Sequence, residues 1–286
     1  MDTIVVKAHG KINLSLDVLG RRVDGYHELR SVMQSIALAD TIVISKAEQI
    51  SVATNIDFVL PQENLAYKAA LLFLQASHIH TGVHIHVEKH LPIAAGLAGG
   101  SADAAAVLWA LNQLFATDYT VAQLHKMGKQ LGADVPFCLQ GGTLLAEGIG
   151  DRLTQLPEVN LKNIVLIKPQ PSLSTKHVYA AVQPSMYGER YTAKLVQALT
   201  QGQDITAYFG NALEAVSVSL LPEIAAWCQR LLDNQAQTAF MSGSGPTVVG
   251  IFKTREQAEE FVQKWQHACW MTITETWPTG ITLVKE

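Results

Sequence analysis

Three glycines and an alanine-rich run meet at one point of the chain. In LPIAAGLAGGSADAAAVLWAL, residues 91–111, Gly96, Gly99 and Gly100 directly precede a stretch built on alanine. Alanine favours helix and glycine opposes it, so the composition marks a loop that ends where a helix starts. The helix is predicted to run for about 15 residues, to around Phe115. Backbone N–H groups at a helix start lack intrahelical partners, and the helix dipole adds about half a positive charge there. Glycine lets such a backbone approach a ligand closely. The loop is therefore either a phosphate cradle or a tight connection with glycines at positive φ. Ser101 is placed to cap the helix and to reach a phosphate or a metal-bound water. Two widespread phosphate motifs do not fit. G-x-x-x-x-G-K-[ST] is absent, and Ala98 stands where G-x-G-x-x-G requires its second glycine.

Composition narrows what the loop can serve. The chain has 286 residues, enough for about two domains. A net charge of −4 supplies no global basic field, so nucleic acid is not an expected partner. An anionic ligand must then be held by a local cluster. Cys138, Cys228 and Cys269 are few, odd in number and widely spaced, without zinc or redox spacing. A reducing cytoplasm fits them. The N-terminal MDTIVVKAHGKINLSLDV lacks a basic leader followed by an apolar core. No apolar run reaches the ~18 residues that a membrane span requires.

The remaining chain mixes strand and helix patterns. KINLSLDV alternates, with Ile12, Leu14, Leu16 and Val18 on one face and Lys11, Asn13, Ser15 and Asp17 on the other. It reads as a half-buried strand with a polar face. Asp24-Gly25 in LGRRVDGYHEL reads as a turn. TIVISK and GVHIHVEK are strand candidates, with helical spacing in NLAYKAALLFLQAS between them. TVAQLHKMGKQLG is a helix with Thr120 as N-cap and Gly132 as its stop. GGTLLAEGIGDRL is a strand and turn, NIVLIKP a strand, and STKHVYAAV a short helix. LPEIAAWCQRLLDN is a helix with Pro222 at its start. TVVGIF and ITLVKE are strands, and TREQAEEFVQKWQHA is a helix. This order predicts an α+β fold, divided into residues 1–155 and 156–286.

The glycine loop, read as Pro92, Gly96, Leu97, Gly99, Gly100 and Ser101, resembles the ATP-binding motif of the GHMP kinase superfamily. Two further motifs of that superfamily occur in order, KINLSLDV near the N-terminus and MSGSGPTVVGIF near the C-terminus. RRVDGYHEL beside KINLSL, and LGADVPF at 131–137, are similar to members that act on a cytidine-diphosphate-linked methylerythritol. Those members serve the non-mevalonate route to isoprenoid precursors. The resemblance implies transfer of the γ-phosphoryl of ATP to the substrate 2-hydroxyl, with Mg²⁺ bound as the ATP complex. It implies an N-terminal domain of ribosomal-protein-S5-like fold, carrying ATP and catalysis. It further implies a ferredoxin-like C-terminal domain that completes the substrate cleft.

Residue roles follow from the same resemblance. Asp134 is the expected base, since transfer to a hydroxyl needs a group to accept its proton. Lys11 is its expected electrostatic partner. On their own, Asp134 reads as a cap before Pro136 and Lys11 as a solvated lysine. ATP contacts are expected from Pro92, Ile93, Ala94, Ala95, Gly96, Leu97, Ala98, Gly99, Gly100, Ser101 and Ala102. Lys89 matches a lysine at the nucleotide site and Asn64 a residue near the adenine; Asn64 reads equally as an N-cap. Asn13 shares the face of Lys11 and is an expected substrate contact. Tyr26, His27 and Tyr179 are the expected clamp on the cytidine, with Thr175 nearby. Gly243 and Ser244 support the phosphate loop or line the substrate pocket. The chain departs from the pattern at Ala94, Ala95 and Ala98, where many members carry glycine, and at Ala102-Asp103. A metal role for Asp103 stays open, as do the direct Mg²⁺ ligands and the oligomeric state.

Two rival readings remain at this level. One is a kinase of the same fold for homoserine or mevalonate; the other is an ATP-binding sensor without catalysis. A separate cluster, His78, His80, His84, His86 and His90, places His84 and His86 on one strand face. A polar strand face accounts for it better than a metal site does.

Overall fold

The computed structural model describes residues 2–56 and 60–285. The chain opens with β1 (Thr3–Arg21), β2 (His27–Ala47) and β3 (Ser51–Thr54), then α1 (Leu65–Ala76) and β4 (Gly82–Glu88). It continues through α2 (Gly99–Leu114), α3 (Val121–Leu131), α4 (Val135–Gln140), β5 (Thr143–Gly148), β6 (Arg152–Gln155) and β7 (Ile164–Lys168). Next come α5 (Thr175–Ala180), α6 (Thr192–Thr200), β8 (Gly210–Asn211), α7 (Glu214–Leu220) and α8 (Glu223–Asp233). The chain ends with β9 (Thr238–Met241), β10 (Val248–Ile251), α9 (Arg255–Trp265), β11 (Trp270–Thr274) and β12 (Ile281–Lys285). The expected α+β class holds.

Eight strands form the first sheet, in the order β12-β1-β2-β4-β3, with β5 on β2, β6 on β5 and β8 on β1. Four strands form the second, β11-β7-β10-β9, all antiparallel. The closing strand, Ile281–Lys285, thus returns to pair with β1 near the N-terminus. Helices α1 and α2 cover one face of the first sheet. Phe73, Ala105, Leu108 and Leu111 there pack on Ile42, Ile44 and Ile85. A second cluster packs Trp227, Leu231 and Phe261 on Val165, Ile167 and Val248 of the second sheet. A third lies between the sheets, joining Ile12, Leu14, Leu91 and Leu97 to Leu166, Phe240, Val249 and Ile251.

The half-buried first strand is corrected: β1 is buried on both faces from Lys11 to Asp17. Lys11 is 4% exposed and Asn13, on the same face, 1%. Helices cover one face and the second sheet the other, and a register break in the β1–β2 ladder between His9 and Lys11, at Gly10, decides which side chains meet which. Before it, Ile4, Val6 and Ala8 face the helices and Lys7 faces solvent. After it, the alternation inverts. Ile12 and Leu14 then enter the core between the sheets, and Lys11 and Asn13 turn into the helix-covered face. Alternation identified the two faces but gave no sign that both would be covered.

Candidate active site

The glycine loop is held from below and exposes its backbone above. Ala95 and Leu97 are buried in the core between the sheets, whereas Ile93 and Ala94 face outward. Ala94, Gly96 and Ala98 take positive φ values of 50°, 76° and 59°. The expected cap by Ser101 does not occur. Helix α2 begins at Gly99, with left-handed Ala98 at the N-cap and no side-chain cap bond. Ser101 lies inside the first turn, because the Ala98 carbonyl already accepts from Ala102 N (2.8 Å). The first-turn N–H groups are therefore left without a side-chain acceptor, the condition an anion site needs.

The third motif buttresses this loop. Ser242 Oγ donates to Gly96 O (3.2 Å) and accepts from Asn13 N (3.2 Å). A Cβ on Gly96 would stand 2.5 Å from Ser242 O, so only glycine permits this approach. Gly243 and Gly245 form the left-handed turn between β9 and β10. Asn211 Nδ2 fixes that turn by donating to Met241 O (2.8 Å) and Gly243 O (2.7 Å). Ser244 Oγ lies 2.8 Å from Thr175 Oγ1, which brings these two expected residues together. Ser242 and Asn211 were missed; Ser242 stood one position from Gly243 within the quoted motif.

Lys11 and Asp134 meet across the inverted face of β1. Lys11 Nζ lies 3.5 Å from Asp134 Oδ2 and donates to Asn13 Oδ1 at 2.7 Å. Asn13 Nδ2 in turn donates to Ser31 Oγ (2.8 Å). The ammonium is buried, while the Asp134 side chain keeps 32% of its surface. Asp134 occupies the N-cap position of α4 but makes no side-chain cap bond, so its carboxylate is not committed to the helix. Its charge is felt nearby. Burial, then Asp134, pushes both the Cys138 thiol and the Tyr179 hydroxyl up. The pair sets a partly exposed carboxylate against a buried cation.

The aromatic residues gather at one edge of this site. The His27 ring stacks on Tyr179 at 5.4 Å between centroids, and Tyr187 meets His27 edge-on at 6.1 Å. The His27–Tyr179 pair is in direct contact, so a base has no slot between those two rings. Burial, with Arg21 adding to it, lowers the His27 pKa and favours the neutral ring. Tyr26 is 62% exposed at the β1–β2 turn, where its N–H donates to Asp24 Oδ1 (3.1 Å). Tyr187 carried no sequence signal.

Lys89 and Asn64 lie behind the loop. Asn64 Oδ1 accepts from Ala66 N (2.9 Å) and caps α1. Lys89 Nζ donates to Asp103 Oδ2 (2.7 Å) and to Asp40, all three side chains being almost fully buried. Asp103 is thus engaged by a lysine. Burial pushes its carboxyl up to about 8, against the pull of Lys89. His84 and His86 are exposed on β4. Among the described residues, no three His, Cys, Asp or Glu side chains group as a metal site. No described helix is long and apolar enough to cross a membrane.

Comparison with known proteins finds relatives along nearly the whole chain. Residues 64–142 match the GHMP kinases N terminal domain and residues 193–269 the GHMP kinases C terminal domain. A protein of Acetivibrio thermocellus named 4-diphosphocytidyl-2-C-methyl-D-erythritol kinase is 45% identical, over 96% of this chain and 100% of its own length. One of the same name from Lachnospira eligens is 39% identical, over 96% and 99%. The crystal structure of a 4-(cytidine 5'-diphospho)-2C-methyl-D-erythritol kinase superposes with a TM-score of 0.83 at 33% identity, covering 96% of this chain and 99% of that one. A homoserine kinase of Cytophaga hutchinsonii has a TM-score of 0.77 at 19% identity, over 99% and 98%, a likeness of fold alone.

Proposed function

The chain belongs to the 4-diphosphocytidyl-2-C-methyl-D-erythritol kinase family of GHMP kinases, and from that premise we propose how its residues carry out the transfer. The reaction moves the γ-phosphoryl group of ATP to the 2-hydroxyl of the cytidine-diphosphate-linked alcohol. The observation that carries the catalytic assignment is the Lys11–Asp134 pair at 3.5 Å. Asp134 accepts the hydroxyl proton as the new O–P bond forms and the bond to ADP breaks. Lys11, fixed by Asn13, orients the hydroxyl and balances charge gathering at the γ-phosphate. The first turn of α2 and the loop from Pro92 to Ala102 receive the ATP phosphates. Tyr26, His27 and Tyr179 recognise the cytidine, with Thr175 and Ser244 beside them. The base stacks on the outer side of the His27–Tyr179 pair, towards Tyr26.

Mg²⁺ neutralises the β- and γ-phosphate oxygens when bound. Asp103 is engaged by Lys89, and among the described residues no three His, Cys, Asp or Glu side chains group together, which supports an ion that would come bound to ATP. Three free cysteines support a reducing, cytoplasmic setting.

The test is ADP release from ATP with the cytidyl alcohol, homoserine and mevalonate run in parallel. Turnover is expected with the cytidyl alcohol alone. Asp134→Asn should lower kcat by about 10²–10⁴-fold in protein that still folds and melts cooperatively. Turnover confined to homoserine or mevalonate would remove the cytidine site and leave the phosphate loop standing. Near-normal turnover of a folded Asp134→Asn would remove the base.

A further inference from the structure

Three charged side chains lie almost fully buried beneath the phosphate loop. Asp40, on β2, is 0% exposed, Asp103 2% and Lys89 8%. Asp40 Oδ1 accepts from His90 N (2.6 Å) and Leu91 N (2.7 Å), the two backbone groups where the loop begins. Its second oxygen accepts from Lys89 Nζ. The same ammonium donates to Asp103 Oδ2 (2.7 Å), one turn inside the helix where the loop ends. Lys89's own backbone is held by Asn55, which accepts from its N–H (2.8 Å) and donates to its carbonyl (3.2 Å). A Cβ on Gly99 would lie 3.4 Å from Lys89 Nζ, so the ammonium sits directly under the first turn of α2.

Burying three charges is costly unless each is paired. Two carboxylates on one lysine would leave net negative charge under a site for phosphate. Asp103 Oδ1 is buried without a hydrogen-bond partner. Burial raises its pKa against the pull of Lys89, a direction that favours the neutral carboxyl and eases the charge imbalance.

We propose that Asp40, Lys89 and Asp103 are positioning residues that staple the two ends of the phosphate loop together, so that Lys89 serves ATP binding without touching ATP. The proposal rests on the kinase reading for its ligand. It does not depend on the identity of the alcohol.

The test measures the affinity of the full-length protein for a non-hydrolysable ATP analogue by calorimetry, alongside steady-state kinetics. Asp40→Ala frees two loop N–H groups and should raise the analogue dissociation constant and KM for ATP by about tenfold. The KM for the alcohol and kcat at saturating ATP should stay within about threefold. Asp40→Asn keeps an acceptor for the two loop N–H groups but turns an amide N–H towards Lys89, so its affinity should fall between that of Asp40→Ala and that of the original. Should Asp40→Ala fail to fold, Asp103→Ala against Asp103→Asn makes the same comparison from the helix end. Unchanged analogue affinity in the folded alanine variants would overturn the proposal. So would a fall in kcat alone, which a merely structural role produces. Analogue binding needs no second substrate, so failure of the kinase assignment would show separately, as absent turnover in the unmodified enzyme.

Discussion

Ala94 holds a backbone conformation that its own methyl group opposes. Its φ of 50° lies in the left-handed region, and the side chain faces outward, where it gains little packing. Ala94→Gly should therefore stabilise the protein by about 1 kcal/mol, raising the thermal midpoint by about 2 °C. Gly96 is the opposite case two positions on. Its φ is 76°, and a Cβ would stand 2.5 Å from Ser242 O, a backbone atom that cannot move aside cheaply. Gly96→Ala should cost about 2 kcal/mol or more and weaken ATP-analogue binding, read by melting and calorimetry. If Ala94→Gly lowers the midpoint, the strain argument for this loop is wrong. The glycine-to-alanine departures noted in the sequence thus differ in kind. Ala94 and Ala98 adopt the conformation glycine would take, whereas Ala95 is a buried contact.

The closing strand is tied to β1 through one titrating group, His9. His9 on β1 donates from Nδ1 to Ile36 O (3.0 Å) and accepts at Nε2 from Thr282 Oγ1 (2.9 Å) on β12. Trp277 stacks on the His9 ring at 5.1 Å and donates from Nε1 to the same Thr282 hydroxyl (3.2 Å). This arrangement needs a neutral imidazole, because protonation removes the acceptor that Thr282 uses. Burial lowers the His9 pKa from 6.5 to about 4. Between these values the unfolded chain binds the proton more readily than the native one. Stability present above pH 6.5 is therefore lost as pH falls towards 4, by about 3 kcal/mol in all. Denaturant unfolding of the wild type and His9→Gln at pH 7 and pH 4.5 should show the smaller acid loss in the variant. Equal losses would free His9 of this role. His9 was not singled out in the sequence, because its partners lie 27 and 273 positions away. Where partners were close, the reading succeeded. Thr120 forms a capping box with Gln123, and Gly132 ends α3, both set by neighbours within one turn. Ser101 misled because a left-handed Ala98 starts the helix without needing a hydroxyl.

At the scale of the molecule, the three motifs were legible but their meeting was not. Lys11 and Asp134 are brought to 3.5 Å by the inversion of β1 at Gly10 and the packing of α4, neither of which is a local property. Asp40 left no trace because its partners are backbone groups and a lysine just past β4, all about 50 positions away. The same long-range logic governs how the chain divides. Ile12, Leu14, Leu91 and Leu97 come from its first half, and each is buried against residues of the second. β1 also takes β8 and β12 as neighbours, both from beyond residue 155. A fragment of residues 1–155 would expose this apolar surface and leave one side of β1 unpaired, a combination that favours aggregation over folding. Full-length protein should unfold in one cooperative transition by circular dichroism and intrinsic fluorescence. The fragment should bind a hydrophobic dye, melt without a sharp transition and fail to bind the ATP analogue. A fragment that melted cooperatively and bound the analogue would show that the phosphate loop stands without the second sheet. Ser242 on Gly96, and Leu97 in the shared core, would then be accessory to the site rather than its foundation.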